Sequence, residues 1–176
     1  MGIYVHYFQS PYGELIIGDY RGKLCLCDWR HRKMRQAIDR RLKTGLQCDY
    51  IIGQTDLTRL TMEQLNEYFQ GQRKVFDVPL LLVGTDFQKS VWQELIKIPY
   101  GRTESYMSLA VKLGNPTAVR AVAAANGANA ISIIIPCHRI VGSHGELVGY
   151  AGGLRAKSRL LELENADGYA SQLKLF

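Results

Sequence analysis

The run Pro136-Cys137-His138-Arg139 holds the residues of this chain best suited to covalent chemistry. The thiolate is the nucleophilic form of cysteine, and imidazole and guanidinium neighbours favour it over the thiol. The same residues admit a plainer reading. Cys137 lies between Ile133-Ile134-Ile135 and Ile140-Val141, and a free cysteine in such company often acts as a small core hydrophobe. The apolar runs predict a short strand that enters the core, with Pro136 ending its regular pairing.

The residues that have to position this thiol lie in the same half of the chain. Gly84-Thr85-Asp86-Phe87-Gln88 has capping-box spacing, and Phe87, Val91, Leu95 and Ile98 form a helical stripe that ends at Pro99-Tyr100-Gly101. Ser105 caps a helix carrying Tyr106, Leu109, Ala110 and Leu113. Gly114 closes it, and Asn115 is expected to cap a second helix with Pro116 at its first position. This pair reads as a helix-turn-helix, although any helical hairpin shares the pattern. The second helix is rich in alanine, with Arg120 the one long side chain of its first two turns. Arg120 alone is equally a solvated charge. Asn129 follows the Asn126-Gly127 helix end, and a glycine-rich loop from Gly142 to Gly153 contains Tyr150. A last amphipathic helix, Leu154 to Glu164, points Leu154, Leu160 and Leu161 inward, and Glu164 either turns toward the core or is a surface acid.

The N-terminal half reads as a small α/β scaffold. Ile3–Phe8, Glu14–Gly18 and Lys23–Cys27 are expected as an antiparallel meander with tight turns, and 75–78 as a further strand. Met34, Ile38 and Leu42 mark a basic amphipathic helix, and Leu57 to Phe69 a second one stopped by Gly71. The formal charge of +6 is concentrated here, with nine Lys/Arg against Asp28 and Asp39 over residues 21–43. A solvated helix face accounts for most of it, so bulk charge says little about a nucleic-acid partner. No apolar run approaches the ~20 residues that cross a bilayer. The N-terminus lacks a signal pattern, so a cytoplasmic protein with reduced thiols and no membrane partner is expected. Cys25, Cys27 and Cys48, with His6 and His31, lack the short spacers of a zinc knuckle; no metal and no cofactor is expected.

Taken in order, the motifs resemble one family. They are Gly84-Thr85-x-Phe87-Gln88-x-x-Val91-Trp92, Ile98-Pro99-Tyr100-Gly101-x-Thr103-x-Ser105-Tyr106, Gly114-Asn115-Pro116-x-Ala118-x-Arg120-Ala121-Val122, Ala125-Asn126-Gly127-x-Asn129, Ile135-Pro136-Cys137-His138-Arg139 and Tyr150-x-Gly152-Gly153-Leu154-x-x-Lys157. Together with Leu160-Leu161-x-x-Glu164 they are similar to the O6-alkylguanine-DNA alkyltransferases over nearly all of residues 84–164. The match is looser through Glu67-Tyr68-Phe69 and Phe76-x-Val78-Pro79-Leu80. The resemblance implies a ribonuclease-H-like α/β domain over 1–83 and a mostly helical domain with a helix-turn-helix over 84–176. It implies direct reversal of O6-alkylguanine, mainly O6-methylguanine, with Cys137 as alkyl acceptor.

By the same resemblance His138 takes the thiol proton through a water and Glu164 orients it. Tyr106 donates to the leaving base and Arg120, beside Ala121, fills the stack left by an extruded nucleotide. Backbone groups of Cys137, Ile140 and Ala151 meet the base edge, Tyr150 walls the pocket and Asn129 braces the turn. The implied partner is double-stranded DNA approached through its minor groove, where lesion recognition tolerates sequence. A monomer with no obligate protein partner is expected. The product thioether is a poor leaving group and no residue is seen that regenerates the thiol, so one turnover per molecule is expected. Ala130 replaces the proline common after the asparagine, and Ile140-Val141 inverts the usual order at conserved volume.

Three rivals remain at this level. A non-enzymatic alkyltransferase-like lesion binder resembles this chain but lacks the reactive cysteine. A helix-turn-helix regulator would carry more polar side chains for the major groove. A cysteine hydrolase would need a histidine facing the thiol rather than adjacent in sequence.

Overall fold

A computed structural model describes residues 1–167 and Tyr169. The chain divides into two compact units, Met1–Gly84 and Thr85–Phe176.

The first unit is built on a four-stranded sheet. Strands β1 (Ile3–Ser10), β2 (Gly13–Tyr20) and β3 (Lys23–Trp29) form the expected antiparallel meander, and β4 (Tyr50–Ile52) joins β1 in parallel to give the order β3-β2-β1-β4. The central strand β2 and the edge strand β3 are buried along most of their length. Helix α1 (Arg35–Leu46) connects β3 to β4 and buries Ile38 and Leu42. Helix α2 (Asp56–Phe69), opened by a Thr55–Thr58 capping box, packs on β1, β2 and β3.

Two expectations fail in this unit. No strand forms over 75–78. The chain instead bridges β3 at Leu80, where Leu24 N–H donates to the Pro79 carbonyl at 2.8 Å and Leu81 N–H to the Leu24 carbonyl at 2.9 Å. Pro79 has no N–H to give, so its carbonyl and the next-but-one N–H carry the pairing. The basic run is also less solvated than expected. Arg32 and Arg35 both reach the fully buried Asp28 carboxylate at 3.1 Å, and Arg35 reaches Asp39 at 3.0 Å. An internal ion cluster absorbs much of that charge.

The second unit is helical around a small parallel ladder. α3 (Asp86–Ile96) starts at the expected Thr85–Gln88 capping box, and the Trp92 indole N–H donates to the Ala125 carbonyl at 2.8 Å. β5 (Glu104–Ser105) leads into α4 (Tyr106–Lys112), capped by Ser105, and α5 (Val119–Gly127) packs on α3 and α4. β6 (Ile140–Val141) pairs with β5, and α6 (Leu154–Leu163) follows the glycine-rich loop.

Three local corrections matter for the site. α5 begins at Val119 with Ala118 as its N-cap; Asn115, Pro116 and Thr117 form a turn in which Ala118 N–H bonds the Asn115 carbonyl. The Asn115 side chain accepts from the Thr117 hydroxyl instead of capping the helix. Phe87 and Leu154 are largely exposed, and Trp92 fills the core position on α3. Finally, Ile133 to Ile135 is a buried turn rather than a strand, with Ile133 at φ 72°. Short apolar runs do not distinguish the two, because both need the same burial.

Candidate active site

Cys137 opens a 3-10 turn, Cys137–Arg139, that leads into β6. The turn before it is irregular, so its backbone groups need partners from elsewhere. Asn129 supplies some of them, beside the turn's own bonds from Ile135 N–H to the Ile131 carbonyl and from Cys137 N–H to the Ile135 carbonyl: its amide donates to the carbonyls of Ile131 at 3.3 Å and Ile135 at 2.9 Å, and its oxygen accepts from Ile131 N–H at 2.9 Å. A β-branched residue in the left-handed region, here Ile133, costs about 1–3 kcal/mol and persists only where surroundings over-determine it. Asn129 and the burial of Ile131, Ile133 and Ile135 do that here.

His138 is wholly buried, and its Nε2 lies 2.7 Å from Glu164 Oε1. Its Nδ1 is buried without a hydrogen-bond partner among the described residues. Burial, aided by the positive charges of Arg139 and Lys157, outweighs Glu164 and holds the imidazole below its ordinary pKa, hence neutral. Glu164 caps α6 with its carboxylate buried. Burial alone would raise its pKa, but His138 and Arg139 hold it well below the usual carboxylate range. Arg139 grips this carboxylate with Nε and Nη2, both at 2.9 Å, and donates Nη1 to the Ile98 carbonyl at 2.6 Å. The guanidinium therefore serves Glu164, where the sequence pattern suggested a neighbour for the thiol. Gly101 N–H adds a long contact to the same carboxylate at 3.4 Å.

Tyr106, at the start of α4, donates its hydroxyl to the Val148 carbonyl at 3.0 Å. Burial and Cys137 raise its pKa, against a lowering hydrogen bond from Asn126, so the phenol stays protonated and able to donate. Tyr150 stands edge-on to His138 with ring centroids 6.4 Å apart. Ala151 is half-buried beside it, whereas Ile140 is buried with its N–H bonded to the Cys137 carbonyl. Arg120 and Ala121 lie on the exposed face of α5 with Ala123 and Ala124, opposite buried Val122, Ala125 and Asn126. Arg120 makes no ion pair among the described residues. The unit thus gathers Cys137, His138, Glu164, Asn129 and Tyr150 around one turn, links Tyr106 to the adjoining loop, and presents Arg120 on a helix face of small residues.

Lys157 was not singled out by residue type, yet it is fully buried and donates to the Val148 and Gly149 carbonyls, both at 3.1 Å. Its signal was present: Lys157 and Glu164 are seven residues apart on the apolar stripe of α6 that contains Leu160 and Leu161. Among the described residues no helix is long and apolar enough to cross a membrane, and no cluster of three metal-ligating side chains is found.

Comparison with known proteins agrees with this architecture. Residues 3–82 match the ribonuclease-like domain of 6-O-methylguanine DNA methyltransferase, and residues 86–166 match the DNA binding domain of the same enzyme. A methylated-DNA--protein-cysteine methyltransferase of Methanosarcina barkeri is 43% identical over 162 residues, covering 92% of this chain and 97% of that one. The protein of the same name from Mycobacterium tuberculosis is 54% identical over 115 residues, 65% of this chain and 69% of that one. A crystal structure of the M. tuberculosis protein in complex with DNA superposes with a TM-score of 0.79 at 37% identity, covering 97% of this chain and 99% of that chain. With both halves matched in order and a relative aligned along nearly its whole length, this chain belongs to the 6-O-methylguanine DNA methyltransferase family.

Proposed function

We propose that this protein reverses O6-alkylguanine damage in double-stranded DNA by moving the alkyl group to Cys137, once per molecule. The observation that carries the reading is the buried His138–Glu164 hydrogen bond beside Cys137, with His138 Nδ1 left without a hydrogen-bond partner among the described residues. A neutral imidazole fixed through Nε2 is a base with one open nitrogen. A water at Nδ1 would relay the Cys137 proton to it, while Glu164 stabilises the imidazolium. The thiolate then attacks the alkyl carbon, forming S–C as C–O6 breaks. Tyr106, leaving the Val148 carbonyl, donates a proton to the guanine ring so that the departing base is neutral. The thioether is stable, which makes the acceptor permanent.

Reaching a base inside a duplex requires extruding it at a cost of a few kcal/mol. The exposed alanines of α5 allow a close approach to the minor groove, and Arg120 is the side chain placed to enter the vacated stack. The pocket for the base is assigned to Tyr150, Ala151, Ile140 and the Cys137 backbone, with Asn129 keeping the turn in shape. Four free cysteines, one of them the acceptor, suit a reducing cytoplasm.

Intact-mass measurement after mixing with a duplex containing O6-methylguanine tests the proposal. One added methyl, mapped to Cys137 and saturating at one equivalent, is expected. No added mass on a folded protein that still binds the duplex would favour the non-enzymatic lesion binder.

A further inference from the structure

Glu164 Oε1 serves two donors. It accepts from His138 Nε2 at 2.7 Å and from Arg139 Nη2 at 2.9 Å, while Arg139 Nε holds Oε2 at 2.9 Å and the Gly101 N–H reaches Oε2 at 3.4 Å. The guanidinium that makes this bidentate grip is itself fixed from another side. Its Nη1 donates to the Ile98 carbonyl at 2.6 Å, and the group lies over the Tyr100 ring, 5.8 Å from the centroid. His138, Arg139 and Glu164 are all buried. Only arginine offers a rigid fork of this kind, because the ammonium of lysine is a point charge. A carboxylate left to itself would raise the basicity of the imidazole it holds, yet here a second cation already neutralises it.

The charges around His138 give the reason. Cys137 and Arg139 flank it in its own turn, Glu164 and Lys157 act on it from α6, and the glycine-rich loop presents the edge of Tyr150. Glu164 and Arg139 cancel. A proton that reaches His138 from solvent therefore creates a buried cation with no anion of its own, and the charge of Lys157 opposes it further. A proton that comes from Cys137 leaves its electron pair behind on sulfur, so the net charge of the site is unchanged. Burial penalises a new net charge more than a proton moved within the site.

We propose that Arg139 is a positioning residue that sets the proton affinity of His138: by neutralising Glu164 it leaves the imidazole open to the proton of Cys137 and closed to protons from solvent. This deepens the transfer reading above and rests on it. With Arg139 removed, the buried carboxylate has one cation left to find, and His138 supplies it by taking a proton before the lesion arrives. The relay is then already occupied in mildly acid solution, where the parent still works.

The test is the 15N titration of the His138 ring in the parent protein, Arg139→Gln and Arg139→Lys, followed by the pH profile of single-turnover transfer from a duplex containing O6-methylguanine. Glutamine keeps a donor for the carboxylate and lacks the charge, whereas lysine keeps the charge and loses the fork. Gln is expected to raise the pH at which His138 is half protonated by about one unit or more, about a tenfold change in proton affinity, and Lys to stay nearer the parent. The acid limb of the transfer rate should move up with it, which a change confined to packing would not produce. A Gln variant whose His138 titrates like the parent overturns the proposal, and so does a Lys variant shifted as far as Gln. If neither variant folds, the parent answers alone. Its His138 has to be neutral at about pH 6 with the ring proton on Nε2, and an imidazolium there overturns the proposal. The titration uses no DNA, so a parent that takes no methyl from O6-methylguanine refutes the transfer reading and leaves the outcome for Arg139 separate.

Discussion

Replacing Glu164 with glutamine tests the relay at its most connected atom pair. The parent carboxylate accepts from His138 Nε2 at 2.7 Å and from Arg139 at 2.9 Å through two nitrogens, all within a buried cluster. An amide of the same shape has one acceptor oxygen. If that oxygen stays with Arg139, the NH2 faces His138 Nε2 and forces the proton onto Nδ1, the nitrogen that has to accept. If it turns to His138, the NH2 faces a guanidinium that offers only donors. The first arrangement resembles a triad whose carboxylate is neutralised to its amide, for which about 10⁴-fold in rate is lost through the wrong tautomer. We expect a loss of about 10³- to 10⁴-fold in the single-turnover transfer rate, measured by quenched-flow and intact mass. Leaving Arg139 without its anion should also cost about 3–5 kcal/mol of stability, read by urea unfolding at neutral pH. A Glu164→Gln protein that transfers within about threefold of the parent rate, less than 1 kcal/mol of barrier, would refute the relay.

Three further outcomes follow from the same geometry. Asn129→Ala leaves the buried Ile131 N–H without its partner and removes one of two donors from each of the Ile131 and Ile135 carbonyls, so the unit should lose about 1–3 kcal/mol in urea unfolding, with earlier proteolysis between 129 and 137. Arg120→Ala should slow repair in duplex DNA at least about tenfold while leaving reaction with the free alkylated base unchanged, since only the duplex requires extrusion; equal losses on both would remove Arg120 from that role. Glu164 and His138 both have lowered folded pKa values. Glu164 therefore stabilises fully above the ordinary carboxylate range, while a His138 kept neutral opposes protonation below about 6.5. Acid titration of stability should fall in two stages, first below about pH 6.5 and then further through the carboxylate range, and Glu164→Gln should shrink the second, leaving the part owed to the buried Asp28 ion cluster.

Much of this was legible in the residues. The meander, α2 and α3 follow from alternation, tight turns and capping boxes, all local effects confined to a few neighbours. Cys137 stood out because its neighbours are chemically unusual, and the ordered motifs tied it to Tyr106, Arg120, Asn129, Tyr150 and Glu164. Where local rules failed, a long-range partner had won. Ile133 adopts a left-handed turn because Asn129, with the N–H groups of Ile135 and Cys137, meets the carbonyl groups that a strand partner would have met. Arg32 and Arg35 leave the solvent because Asp28 is buried beneath them.

By itself the sequence marked the two-part organisation, Cys137 as the proposed nucleophile and the set of side chains proposed to serve it. Only the tertiary structure decided which atoms meet. Glu164 lies 26 residues from His138 and reaches it because α6 turns that residue inward; Arg139 points to the carboxylate rather than serving only as a cationic neighbour of the thiol; and Lys157 becomes a buried cation held by the Val148 and Gly149 carbonyls. Charge, burial and hydrogen-bond direction are properties of a site's surroundings, and those surroundings form only when distant segments pack.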